Sequence, residues 1–157
     1  SGRVLAPGDV LMMDTGTVFD GYYSDFDRNF AFGFASDATR RAYDVVYRAT
    51  EAGLASARPG VTAADLWAAM AAVLDVGGST GNAVGRLGHG LGMQLTEQPS
   101  NMPGDETMMV PGMVMTLEPC ITYGDGRVMV HEENIVIRDG PPELLSRRAS
   151  VEIPILD

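Results

Sequence analysis

Six carboxylates and one imidazole stand out for where they sit in the chain. Asp14, Asp25 and Asp27 lie in two alternating apolar stretches, "VLMMDTGTVF" and "YYSDFDRNFAF", joined by Asp20-Gly21. Glu118 closes the apolar run "MVMTLEP", and Glu132 and Glu133 interrupt "VMVHEENIVI". His89, one of only two histidines, sits in "GRLGHGLG", where four of eight residues are glycine. A carboxylate among apolar residues is costly to bury unless it is paired or bound to a metal. Oxygen-rich donors with one imidazole suit Mn²⁺, Co²⁺, Fe²⁺ or Zn²⁺. So many carboxylates for one imidazole point to two ions bridged by shared carboxylates, the arrangement that activates a water.

Such a set needs elements to bring it together. Asp-Gly at 20–21 is a two-residue hairpin signal between strands expected at about Val10 to Thr15 and Tyr22 to Phe32. Strand side chains alternate, so Asp25 and Asp27 share a face. With Asp20 and Gly21 at the centre of the turn, Asp14 lies opposite Asp27 and diagonal to Asp25. Diagonal neighbours are about 7–8 Å apart, within reach of a shared ion. Ser36 is an N-cap for a helix running to about Arg58, before the stop "RPG". Thr62 and Asp65 form a capping box for a second helix through Leu74, ending at Gly77-Gly78.

Gly and Asn then lead to the histidine motif. A strand is expected at about Met113 to Glu118, and one long strand over "RVMVHEENIVIRDG". Parity leaves both glutamates open as ligands: Glu133 shares a face with Ile135 and Ile137, Glu132 with Asn134 and Val136. His131 faces away from Glu132 and is not expected as a ligand. Strands, then helices, then strands predict an α+β fold with helices packed on one face of an antiparallel sheet.

Composition narrows the partners. The 157 residues, 45% apolar and 20% charged, suffice for one globular domain with a real core. The net charge of −10, with eleven scattered arginines and no lysine, argues against nucleic acid. The single Cys120 excludes an internal disulfide and fits a reducing compartment. No apolar run reaches the roughly 18 residues of a membrane span. The opening "SGRVLAPGDV" is not a signal peptide, so a cytoplasmic protein without a membrane partner is expected. Met12, Met13, Met93 and Met115 are expected as core filler, with Trp67 and Cys120 buried.

The motifs "DTGTVFDGYYSDFDR", "GHGLG", "TLEP" and "HEEN" resemble those of the pita-bread metallopeptidases, the family of methionine aminopeptidase, aminopeptidase P, prolidase and creatinase. The resemblance covers the chain from about Pro7 to the end. Its prolidase-like spacings of 11, 64, 29 and 14 residues select Asp14, Asp25, His89, Glu118 and Glu132. It implies that Asp14, Asp25 and Glu132 hold one divalent ion and Asp25, His89, Glu118 and Glu132 a second. Asp25 and Glu132 then bridge the two. A hydroxide between the ions attacks a peptide carbonyl, and Glu118 moves the proton to the leaving amine.

The implied enzyme is an Xaa-Pro aminopeptidase or dipeptidase acting on small peptides, and homodimers are common among such relatives. The glycines around His89 are expected to let backbone pack close to the site and leave room for substrate. The resemblance also implies that residues 1–157 are the C-terminal portion of a longer catalytic domain, a partial pita-bread fold.

Two departures qualify it. Thr96 stands where a second, substrate-contacting histidine is common, and Thr cannot act as an acid near neutral pH. Asp27 replaces a usual threonine and adds a carboxylate on the metal side, as an extra ligand or a partner to one. Both keep open a same-fold metal enzyme cleaving a C–N or C–S bond of a small non-peptide metabolite. A catalytically inactive binding module is the third reading, opposed by retention of all five ligand positions.

Overall fold

A computed structural model describes residues 2–78 and 85–157; most of the Gly- and Asn-bearing stretch before the histidine motif lies outside them. In chain order the elements are β1 (Val10–Phe19), β2 (Tyr22–Phe32), α1 (Asp37–Ser56), α2 (Ala63–Val76), β3 (His89–Gly90) and β4 (Glu97–Ser100). There follow β5 (Val114–Leu117), β6 (Cys120–Tyr123), β7 (Arg127–Val130), β8 (Glu133–Val136), β9 (Glu143–Leu144) and β10 (Ile155–Leu156). They form an α+β fold of three sheets, ordered β1-β2-β10, β4-β3-β5-β8-β9 and β6-β7.

The hairpin follows from its turn. Asp20 and Gly21 both adopt positive φ, 49° and 85°, the twist-matched geometry that favours Asp-Gly between antiparallel strands. The register pairs Asp14 with Asp27 and Gly16 with Asp25. Having a partner along its whole length, β1 runs on past Thr15 to Phe19.

Both helices begin where their caps predict. Ser36 Oγ accepts the Thr39 N–H at 3.1 Å, and Thr62 and Asp65 make a reciprocal capping box. The buried stripe Ala42, Val45, Val46 and Ala49 on α1, with Leu66, Met70 and Leu74 on α2, packs into the core cluster. Met115, Leu117, Ile135, Ile121 and Met129 complete that cluster from the strands. Each of the valine, leucine, isoleucine and methionine side chains contributes roughly 1.5–3 kcal/mol on burial.

Three expectations are corrected. The long strand over 127–140 is two strands in two sheets: β7 pairs with β6, and β8 pairs with β5 and β9. His131 and Glu132 lie between them, so side-chain alternation does not run through this junction. Apolar patterning could not show the break, because both halves are apolar. Met12, Met13 and Met93 are exposed, at 40%, 45% and 71%, rather than core filler; Met115 is buried as expected. Trp67 is half-buried, packed against the margin of the core rather than within it. Beside the antiparallel pairings, the short β10 runs parallel to β2.

Candidate metal centre

Three separated segments deliver the central donors. Atoms of Asp25 in β2, His89 in β3 and Glu132 between β7 and β8 lie within 4.8 Å of one another. His89 Nε2 is 3.8 Å from Asp25 Oδ2 and 3.5 Å from Glu118 Oε1. Asp14 is exposed on β1, across the hairpin from Asp27. Asp27 is 1% exposed; Asn29 Nδ2 donates to its Oδ1 at 2.9 Å, and its Oδ2 has no partner among the described residues.

The glycines explain how His89 is held. Gly88 has φ 141°, and a Cβ there would stand 2.1 Å from the Thr116 carbonyl oxygen and 2.4 Å from Asn101 Nδ2. A Cβ on Gly90 would meet the Gln98 carbonyl oxygen at 2.4 Å. Only hydrogen fits at either position, so β3 can lie tightly between β4 and β5. The His89 N–H donates to Thr116 Oγ1 at 3.0 Å, and the ring Nδ1 lies 2.9 Å from the Gly90 carbonyl oxygen. A carbonyl only accepts, so Nδ1 donates to it, which leaves Nε2, facing Asp25 and Glu118, as the ring nitrogen a metal would take. The neighbouring Glu118 N–H donates to the Leu87 carbonyl at 3.0 Å, which keeps Glu118 beside the histidine.

The structure separates the adjacent glutamates. Glu132 is 2% exposed and contributes to the donor cluster. Glu133, fully buried, is engaged elsewhere: Arg28 and Arg148 each reach it at 2.9 Å, and Ser146 Oγ and the Ala149 N–H at 3.0 Å. His131 lies on that side too, 2.9 Å from Thr50 Oγ1 and edge-on to Tyr43 and Tyr47.

The electrostatics call for a cation. Burial, then the charges of Glu118, Asp25, Asp14 and Asp27, pushes the Glu132 carboxyl up to about 9. Burial and Asp14 raise Asp27 to about 7. Burial also raises Asp25 and Glu118 above the ordinary carboxylate range. Arg86, 3.6 Å from Glu118, is the one arginine within ion-pair range of these carboxylates among the described residues. Glu118 Oε1 and Glu132 Oε1 are buried without a hydrogen-bond partner among the described residues. Carboxylates gathered this closely, with one arginine at their margin, repel one another unless a positive ion stands between them. The residues present therefore fit a divalent metal.

Thr96 is exposed just before β4, and among the described residues its side chain forms no hydrogen bond with the cluster. The sequence did not mark Arg28, Arg86, Thr116 or Asn134 as parts of this site. One available signal was an arginine and an asparagine placed inside apolar strands, where a polar group needs a partner.

Comparison with known proteins follows the same outline. The model for metallopeptidase family M24 matches residues 1–139. The Xaa-Pro dipeptidase of Lactobacillus helveticus is 34% identical over 139 residues, which is 88% of this chain and 38% of that protein. The crystal structure of dipeptidase PepE from Mycobacterium ulcerans superposes with a TM-score of 0.91 at 34% identity, covering 99% of this chain and 42% of that one. The prolidase from Pyrococcus furiosus superposes with a TM-score of 0.89 at 27% identity, covering 96% of this chain and 44% of that one. The chain thus spans well under half the length of these relatives.

Proposed function

The chain belongs to metallopeptidase family M24, and on that premise we propose that it carries the dinuclear metal centre of a hydrolase cleaving Xaa-Pro dipeptides or the N-terminal Xaa-Pro bond of short peptides. The observation that carries this reading is the convergence of Asp25, His89 and Glu132 from three segments to within 4.8 Å. Asp14, Asp25 and Glu132 would hold one ion, and Asp25, His89, Glu118 and Glu132 the other. Manganese, cobalt, zinc or iron suits these donors. When bound, the ions supply an activated water and polarise the scissile carbonyl.

The chain's own groups do the rest. Glu118, whose Oε1 is buried without a hydrogen-bond partner among the described residues, accepts the proton of the attacking water and passes it to the leaving amine. Asp27, beside Asp14 across the hairpin, acts as a partner to that ligand. Thr96 can donate one hydrogen bond to a substrate. We assign the protein to the cytoplasm, acting on small peptides. No helix among the described residues is long and apolar enough to cross a membrane.

Thr96 and Asp27 favour a second reading, cleavage of a C–N or C–S bond in a small non-peptide metabolite. One experiment tests both: elemental mass spectrometry of wild type and Glu132→Ala after reconstitution with Mn²⁺, followed by a substrate panel. About two ions per wild-type chain, lost in Glu132→Ala, with turnover of Xaa-Pro dipeptides, is the expected result. Metal with turnover of small amides or sulfonium compounds alone supports the second reading. Metal without any turnover indicates a binding module, and no metal in the wild type refutes the proposal.

A further inference from the structure

We propose that Asn134 and Arg28 are positioning residues that hold Asp25 and Glu132 at the separation a shared metal ion requires, an inference that rests on the metal-centre reading above. Asp25 belongs to one sheet, and Glu132 leads directly into β8 of another. Among the described residues no backbone ladder joins β2 to β8: β2 pairs with β1 and β10, β8 with β5 and β9. Two side chains make the junction instead.

The Asn134 carboxamide, 3% exposed, brackets the Asp25 backbone. Its Oδ1 accepts the Asp25 N–H at 3.0 Å, and its Nδ2 donates to the Asp25 carbonyl. This copies the paired bonds that a neighbouring strand would make. Arg28 reaches across from β2. Its Nη1 donates to the Asp27 carbonyl at 2.7 Å and to the Glu132 carbonyl at 2.8 Å, while Nη2 donates to Glu133 at 2.9 Å. One planar guanidinium therefore spans the backbone of both ligand-bearing segments, with buried Glu133 as its counter-charge.

Neither side chain is placed to coordinate. Arginine is a cation, and both polar atoms of Asn134 are committed to Asp25. Their effect passes through where Asp25 and Glu132 stand, and partners that orient metal ligands typically matter 10–100-fold in affinity. A backbone ladder would lock the two segments regardless of side chains; here the spacing depends on two residues that can be changed one at a time.

The test compares wild type, Asn134→Ala and Arg28→Lys by calorimetric titration with Mn²⁺ alone, by urea unfolding, and by hydrogen exchange at the Asp25 amide. Arg28→Lys keeps a cation beside Glu133 but cannot bridge two carbonyls and a carboxylate. Both variants are expected to bind Mn²⁺ about 10–100-fold more weakly while still unfolding cooperatively. Asn134→Ala should also accelerate exchange at Asp25. Should Arg28→Lys not fold, Asn134→Ala carries the same test. A merely structural role would lower the unfolding midpoint and leave Mn²⁺ affinity of the folded protein within about threefold of wild type, and that result overturns the proposal. Wild type that binds no Mn²⁺ overturns the metal centre itself.

Discussion

Replacing two adjacent glutamates should have opposite effects on the metal-free protein. Glu132 has its carboxyl raised from 4.5 to about 9 by burial and by four neighbouring carboxylates. Its folded pKa lies above its unfolded one, so the folded state holds the extra proton. The cost of ionising it is absent below pH 4.5, grows as pH rises, and is complete above about 9. At pH 7 that is about 2.5 pH units of the window, or about 3 kcal/mol at about 1.4 kcal/mol per unit. Glu132→Gln keeps the shape and removes the titration. In chelator at pH 7 it should therefore be about 3 kcal/mol more stable than wild type, or about 6–12 °C in midpoint.

Glu133→Gln should do the reverse. It leaves Arg28 and Arg148 facing a neutral amide in a fully buried position. Breaking such a pair costs about 3–5 kcal/mol, toward the lower end here because both arginines keep other partners. The assay is urea unfolding in chelator at pH 5, 6, 7 and 8. The advantage of Glu132→Gln should widen steadily from pH 5 to pH 8. A Glu132→Gln protein less stable than wild type, or a gap that does not change with pH, would refute the electrostatic account. Added Mn²⁺ should then invert the order, raising the wild type and leaving Glu132→Gln nearly unmoved.

Mn²⁺ binding near pH 7 should expel between one and two protons, because Glu132 is protonated there and Asp27 is about half protonated; titrations in buffers of different ionisation enthalpy read this, and buffer-independent heats would contradict it. Gly88→Ala should destabilise by on the order of 2–4 kcal/mol, since its φ and the Thr116 carbonyl both exclude a Cβ, and thermal unfolding checks it. Burial, then Arg148 and Arg28, pushes His131 down from 6.5 to about 3, so the unfolded chain takes up a proton that the folded state refuses. In a Glu132→Gln background, the stability difference between His131 and His131→Gln proteins should therefore shift against His131 by about 1.4 kcal/mol per unit from pH 6 to pH 4, the buried carboxylates being common to both; urea titrations read the difference.

The hairpin was legible from residues alone because its information is local. An Asp-Gly turn and period-two alternation fix the pairing of Asp14 with Asp27, and the Ser36 and Thr62 caps mark the helix starts within four residues of chain. Donor chemistry was legible for a similar reason, since carboxylates inside apolar strands need a cation or a partner wherever they end up. The break at His131-Glu132 was not, because two apolar half-strands look like one until two different sheets claim them. Nor could parity choose between Glu132 and Glu133. That depended on Arg28 and Arg148, which come from 105 and 15 residues away to neutralise Glu133 on the far side. A sequence thus states which groups must be satisfied, and only tertiary packing decides which partner satisfies each, because those partners meet across sheets that share no ladder.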